Sequence, residues 1–241
     1  MPGLSEASFN QIEEKVTKGL EAAHSIDVHI IKETEVFGAS IKAVKDIKKN
    51  GLEVEWFADG SSVSRVNEKD KYTEGLFNCT SMFAVGKDKE SPKNISFLSH
   101  SDTFGNMNIT NIAKEYKTYG ISGIVEYAKL HDAILITKLT ELRNRCESGS
   151  IDVVLGGGKI TRKKYGNPLS ESEIKKAEEE YELSMETMQS VAISVLGIKP
   201  QIIHEPITEI SRGFRGTKIY ADTQHRKLFV VYFAGEQKNL L

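Results

Sequence analysis

A chain of 241 residues, 39% of them hydrophobic and 27% charged, has the composition of an ordinary globular protein and is long enough to bury a sizeable core. Its formal net charge of -2 gives no electrostatic case for nucleic acid, so we expect no nucleic-acid partner. No apolar run approaches the ~20 residues that a membrane span needs, and we expect no membrane insertion.

The first 68 residues predict an N-terminal α/β addition packed on a larger domain over residues 69 to 241. Hydrophobic periodicity and turn residues predict, in chain order, a helix over 8 to 23, a strand over 26 to 31, a helix over 40 to 49, a strand over 52 to 57 and a turn over 59 to 62. This addition either completes a sheet edge or forms a lid over the functional site.

Residues 73 to 100 predict a β-hairpin. An apolar run from Leu76 to Val85 is followed by turn residues over 86 to 94 and by a second apolar run that ends at His100. Antiparallel pairing makes residues equally far from the loop neighbours, with Cβ atoms within ~5.5 Å when directly opposite. Cys79 and His100 lie at similar distances from the loop, so we expect their side chains to approach each other.

The rest of the chain predicts long helices flanked by hairpins. The predicted elements are a helix over 109 to 119, a helix over 132 to 146, a strand over 151 to 155, a helix over 171 to 196 with a capping box at Ser170 and Glu173, a strand over 200 to 207, and a closing hairpin over 218 to 220 and 228 to 233. This order predicts an α+β fold, with mixed β-sheets in a sandwich-like arrangement covered by helices.

A thiol beside an imidazole indicates a cysteine nucleophile. We expect His100, as an imidazolium, to lower the thiol pKa of Cys79, so that a thiolate able to attack an acyl carbon dominates at neutral pH. The structural alternative is that Cys79 is a buried core residue and His100 simply ends a strand. Asp102, two residues after His100, is a candidate to orient the imidazole.

Three glycines, residues 156 to 158, follow the strand predicted over 151 to 155. No Lys-Ser/Thr pair follows at phosphate-loop spacing, so Gly156 and Gly157 either line a substrate slot with their backbone or form a structural turn. No cluster of His, Cys and Asp has metal-ligand spacing, and we expect neither a metal nor a cofactor.

Cysteine usage indicates a reducing compartment. Cys79 and Cys146 are too few for a disulfide framework, and Cys146 falls on the apolar stripe of a predicted helix, which predicts an inert core thiol. The first residues lack the charged start and apolar core of a secretory signal, so we expect a cytoplasmic protein. Export as an effector by a machine that reads other features stays open.

In their order and in their hairpin context, Thr73, Cys79 and His100 resemble the threonine, cysteine and histidine of the CheD family of chemoreceptor glutamine deamidases. The similarity continues through residues 153 to 158, 196 to 198 and 216 to 223, and covers residues 73 to 232 in order. The family usually has Gly-Ser-Cys where this chain has Phe77, Asn78 and Cys79. Deamidase toxins such as the cytotoxic necrotizing factor catalytic domain are similar in this type of site, so the targets need not be receptors.

The resemblance implies a protein-glutamine deamidase whose partner is a protein that presents a glutamine. Cys79 is then the nucleophile, His100 the proton carrier, and Thr73, rather than Asp102, the residue that orients the imidazole. Backbone N–H groups near Asn78 and Cys79 would hold the oxyanion. Two alternatives stay open, a transglutaminase that uses the same site and a non-catalytic protein-binding module of the same fold.

Overall fold

The computed structural model describes residues 26–32, 38–54, 61–76, 79–101, 133–157, 163–164, 167–168, 170–203 and 217–232. Within these ranges the strands are, in chain order, β1 (Asp27–Lys32), β2 (Leu52–Glu53), β3 (Ser61–Val63), β4 (Lys71–Leu76), β5 (Thr80–Lys87), β6 (Asn94–Ser101), β7 (Asp152–Gly157), β8 (Lys163–Lys164), β9 (Asn167–Pro168), β10 (Gln201–Ile203), β11 (Thr217–Asp222) and β12 (Lys227–Tyr232). The helices are α1 (Ala39–Asn50), α2 (residues 133–145) and α3 (Glu171–Leu196).

The longer strands form two mixed five-stranded sheets. Sheet 1 has the order β1-β12-β11-β4-β2, and sheet 2 has the order β10-β7-β5-β6-β3. Each sheet contains both parallel and antiparallel pairs; β1 runs parallel to β12, for example, while β12 runs antiparallel to β11. The predicted α+β class, with mixed sheets flanked by helices, is confirmed.

The two sheets pack face to face, and helices cover their outer faces. One buried apolar cluster joins the inner faces, with Leu76 and Ile219 from sheet 1 against Phe83 and Leu98 from sheet 2. A second cluster lies between sheet 2 and the helices α2 and α3, and a third lies between sheet 1 and α1. The layers therefore follow the order α1, sheet 1, sheet 2, and α2 with α3. This arrangement leaves the inner faces dry.

Local sequence signals account for the two best-defined elements. The capping box of α3 is present, because Ser170 Oγ accepts from the Glu173 N–H and Glu173 Oε2 accepts from the Ser170 N–H at 2.8 Å. Gly197 ends the helix with a φ of 68°. β5 and β6 form the predicted hairpin, in which Phe83 pairs with Leu98.

The N-terminal strands complete sheet edges, which was one of the two expectations for that segment. Among the described strands, β1 and β2 are the edges of sheet 1, and β3 is an edge of sheet 2. Ser61 and Ser62, predicted as part of a turn, instead belong to β3, because their backbones pair with Ser101 and His100. The division at residue 68 stays a prediction. The helices predicted over 8 to 23 and 109 to 119 lie outside the described residues.

Candidate active site

His100 lies on β6 with its side chain between the two sheets. Side chains alternate along a strand. Leu98 belongs to the inner cluster, whereas Phe97 belongs to the cluster beneath the helices. His100, two residues after Leu98, therefore faces sheet 1, and it is fully buried.

Thr73 meets this histidine from the opposite sheet. The side chains of its neighbours Tyr72 and Glu74 lie on the side of β4 that faces α1. Because side chains alternate along a strand, Thr73 faces inward. Thr73 Oγ1 lies 2.7 Å from His100 Nδ1, which is a hydrogen bond between two buried side chains. The imidazole is thus held across the sandwich by a residue of the other sheet.

The hairpin prediction needs one correction at this point, because Thr73 does not lie on a hairpin strand. It lies on β4, which ends at Leu76 in sheet 1, whereas β5 begins at Thr80 in sheet 2. Near the end of β4, Gly75 adopts a φ of 79°, a left-handed conformation that glycine adopts readily. The chain changes sheets between the threonine and the cysteine.

Cys79 immediately precedes β5 and shares the inner face with His100. Thr80 pairs with Ser101. Cys79 directly precedes Thr80, and His100 directly precedes Ser101. In antiparallel strands this makes them diagonal neighbours, which typically lie about 7–8 Å apart and within reach of an aromatic ring. Cys79 is 3% exposed and belongs to the inner cluster with Leu98.

Serine side chains join the hairpin strands beside this pair. The Met82 N–H donates to Ser99 Oγ at 2.9 Å, and Ser81 Oγ donates to the Ser99 carbonyl oxygen at 2.6 Å. Serine hydroxyls therefore contribute hydrogen bonds between the two strands where β5 passes His100.

Burial decides the charge of the histidine. It lowers the pKa of His100 to about 4, because the dry surroundings disfavour the charged imidazolium. The imidazole is therefore neutral at pH 7. The sequence prediction of a cationic His100 beside a preformed thiolate does not fit this environment, which suits a neutral ring that accepts the thiol proton.

Gly156 and Gly157 lie within β7 rather than in a turn after it. They pair with Ser81 and Thr80, respectively. A Cβ on Gly157 would lie 2.9 Å from the Cys79 carbonyl oxygen and 2.7 Å from Tyr181 Cε2, so this glycine permits close packing on the helix side. Gly156 has the opposite orientation, on the inner face with Ser81 and His100.

Three other predicted residues have different outcomes. Asn78 and Asp102 lie outside the described residues, so the oxyanion role expected near Asn78 and the orienting role considered for Asp102 stay predictions. Cys146 is 1% exposed, and burial raises the pKa of its thiol to about 11. The predicted core position of Cys146 is confirmed, and its inertness stays a prediction.

Sequence reasoning missed Lys71, a fully buried lysine two residues before Thr73. Its Nζ donates to Ser96 Oγ at 3.0 Å, to Asn67 Oδ1 at 3.1 Å and to the carbonyl oxygens of Asn67 and Lys69. Burial lowers the pKa of Lys71 to about 7. The only sequence signal was that Lys71 lies two residues before Thr73 and so falls on the inward-facing side of β4, where lysine is unusual.

No family model and no curated protein matches this chain. Across the described ranges, no group of three or more His, Cys, Asp or Glu side chains is arranged to hold a metal ion. None of the helices in the described part of the chain has the length and apolar character of a membrane span.

Proposed function

We propose that this protein is a protein-glutamine deamidase that uses Cys79 as its nucleophile. The observation that carries the proposal is the 2.7 Å hydrogen bond between Thr73 Oγ1 and His100 Nδ1, with Cys79 diagonal to that histidine on the same face. A nucleophile, a base and a residue that orients the base are the parts that covalent acyl transfer needs.

The neutral imidazole acts first as a base. His100 Nδ1–H donates to Thr73 Oγ1, which fixes the tautomer and leaves Nε2 to accept the Cys79 thiol proton. The thiolate attacks the side-chain carboxamide carbon of a glutamine, and backbone N–H groups near Asn78 and Cys79 stabilise the oxyanion. Because the imidazolium is disfavoured in this buried site, it forms only together with the neighbouring negative charge.

The same proton then leaves with the nitrogen. His100 donates it to the departing amide nitrogen, ammonia is released, and a thioester joins Cys79 to the substrate. Water, deprotonated by His100, hydrolyses the thioester and regenerates the thiol. The product is glutamate, so the partner protein gains one negative charge. An amine in place of water would give transglutamination at the same residues.

The resemblance to the CheD family supports this proposal through the same three residues. We propose that the chain is a distant CheD-like deamidase, that its substrate is a protein, and that it works in the cytoplasm or as an exported effector. Reducing conditions keep Cys79 as a thiol.

One observation favours a second function. Cys79 and His100 are almost completely buried, as core residues are, and this burial suits a non-catalytic module that recognises a protein partner. In such a module the Thr73–His100 hydrogen bond serves only to satisfy two buried polar groups.

Thiol reactivity distinguishes the two functions. We expect iodoacetamide at pH 6 to 7 to modify Cys79 in the native protein faster than an unfolded thiol, because His100 accepts the thiol proton as the sulfur attacks, and we expect His100→Ala to slow this modification. Peptide mapping by mass spectrometry resolves the two cysteines, so the buried Cys146 serves as an internal reference in each sample. A Cys79 that reacts no faster than an unfolded thiol, or that ignores the His100 substitution, favours the binding module.

Substrate conversion provides the second test. Proteins that co-purify with the Cys79→Ser variant are incubated with the native enzyme and searched for the mass increase of about one dalton that converts glutamine to glutamate. The Cys79→Ser protein is expected to fold normally and to release no ammonia. Conversion by this variant would exclude Cys79 as the nucleophile.

A further inference from the structure

The main chain at Cys79 and Thr80 lies close to a strand and a helix. Thr80 pairs with Gly157 of β7. Tyr181 of α3 lies over the same glycine, since its Cε2 and hydroxyl oxygen would lie 2.7 Å and 3.2 Å from a Cβ added to Gly157. The same added atom would lie 2.9 Å from the Cys79 carbonyl oxygen. The tyrosine ring and the cysteine peptide therefore crowd the space that the missing side chain leaves.

A hydrogen bond from the same helical turn holds the next residue. Ser184, three residues after Tyr181, has its Oγ 3.0 Å from Thr80 Oγ1, and both side chains are buried. Residues three apart on a helix share a face, so Tyr181 and Ser184 present one surface to the start of β5. One turn of α3 thus bonds Thr80 through Ser184 and places Tyr181 over Gly157, the glycine that the Cys79 carbonyl oxygen also approaches.

These contacts lie on the side of sheet 2 opposite to His100. Tyr181 belongs to the cluster beneath the helices, whereas Cys79 belongs to the inner cluster. Tyr181 and Ser184 therefore lie on the face opposite to His100, and the main chain at Cys79 and Thr80 is the route by which they can influence the thiol.

We infer that the α3 turn of Tyr181 and Ser184 is the positioning element of the nucleophile, which sets the direction in which Cys79 presents its thiol to His100. This inference rests on the proposed function. Gly157 is part of the same arrangement, because only a residue without a side chain lets the tyrosine and the cysteine peptide approach together. Catalytic geometry on one face of sheet 2 then depends on a helix packed on the other face.

The pH dependence of Cys79 alkylation tests this role. The rate with iodoacetamide is measured from pH 5 to 9 on the full chain for the native protein, Tyr181→Ala, Ser184→Ala and His100→Ala. We expect Tyr181→Ala to lower the rate at pH 7 about tenfold and to move the profile to that of His100→Ala, because the thiol no longer meets its base. Ser184→Ala, which keeps the Tyr181 ring, is expected to move the pH profile in the same direction by a smaller amount.

Met188→Ala is the matched control. Met188 lies on the same helix, is 1% exposed and packs in the same cluster as Tyr181, so its truncation loosens the helix without changing the turn that carries Tyr181 and Ser184. This control is expected to keep the native profile. If Tyr181→Ala unfolds the chain, the comparison of Ser184→Ala with Met188→Ala decides the outcome.

The outcomes separate this inference from the proposed function. A native Cys79 whose alkylation does not depend on His100 contradicts the deamidase and the positioning role together. A fast, His100-dependent Cys79 whose profile is unchanged in Ser184→Ala and in folded Tyr181→Ala overturns the positioning role alone. An equal displacement in Met188→Ala also overturns it, since general loosening would then be the cause.

Discussion

Lys71 donates a hydrogen bond to Ser96 across the sandwich, with 3.0 Å between Nζ and Oγ. The Thr73–His100 bond joins the same two strands, β4 and β6, from the next inward-facing residue of β4. These two polar contacts join facing strands of the two sheets, one at the candidate base and one at a buried amine.

We expect the stability of the protein to rise with pH above neutrality because of Lys71. Its pKa is about 7 in the folded chain and 10.5 as an ordinary lysine, so between these values the unfolded chain binds a proton that the folded chain has released. Linkage then makes the unfolding free energy increase with pH, with a slope that approaches about 1.4 kcal/mol per pH unit. Urea denaturation at pH 7.5 to 9.0 measures this slope.

Lys71→Met is the comparison for that slope. The methionine fills the buried space without a titrating group, so the variant is expected to lack the increase, whatever its absolute stability. The pH range of the measurement ends at 9.0. Above that pH, the raised pKa of the Cys146 thiol opposes the increase of stability with pH that Lys71 causes. Equal slopes in the two proteins would show that Lys71 keeps an ordinary pKa.

Thr73→Val is expected to reduce both stability and thiol reactivity. Valine preserves the shape of threonine but removes the hydroxyl that pairs with His100 Nδ1, which leaves a buried polar atom without that partner. The cost is about 1–3 kcal/mol in unfolding free energy. The loss of orientation is expected to slow Cys79 alkylation about tenfold. Thr73→Ser keeps the hydroxyl and should retain most of the stability and most of the thiol reactivity. A Thr73→Val variant whose Cys79 reacts as fast as in the native protein would contradict the orienting role of Thr73.

We expect acid to destabilise the protein through His100. Its pKa is lowered from 6.5 to about 4 in the folded chain, so as pH falls below 6.5 the unfolded chain is protonated first. Stability is therefore lost between pH 6.5 and 4, by about 3 kcal/mol in total. His100→Asn should lack this loss. The raised pKa of Asp70 also changes stability with pH, but it does so in both proteins. The difference between the native and the His100→Asn stability curves therefore isolates the contribution of His100.

Sequence patterns predicted the elements whose signals are local. Turn residues between two apolar runs gave the β5–β6 hairpin, and Ser170 with Glu173 gave the start of α3. The pairing of β1 with β12 could not be predicted, because its partners are about two hundred residues apart and no local signal selects one strand over another. For the same reason the sequence placed Thr73 beside Cys79 on one hairpin, although the contact is made between sheets.

Burial was the other missing quantity. A sequence gives the residue types of the site but not the solvent around them, so it indicated a cationic histidine beside a Cys79 thiolate. The inner faces of two packed sheets exclude water from His100, and this exclusion favours its neutral form. The glycines of β7 show the same limit: the sequence marked their small size, while the sheet determines that Gly157 faces a helix and Gly156 faces the interior between the sheets.

Gly156→Ala is expected to separate substrate access from nucleophile chemistry. An added Cβ would find its nearest neighbour, Ile203 Cβ, at 4.0 Å, which is an ordinary contact, so we expect a change in unfolding free energy within about 0.5 kcal/mol. The methyl group would nevertheless project from the inner face, the face that also carries Ser81 and His100. If Gly156 lines the substrate slot, deamidation of a protein glutamine falls about tenfold or more, whereas the small iodoacetamide still reaches Cys79 at the native rate.

Gly157→Ala provides the contrast to this result. Its added atom would contact the Cys79 carbonyl oxygen and the Tyr181 ring at less than 3 Å, so the peptide of the nucleophile must shift. Alkylation and deamidation should then fall together, in contrast to the selective loss in Gly156→Ala. A Gly156→Ala protein that deamidates at the native rate would show that this glycine serves the packing of β7 against β10 and has no part in the slot.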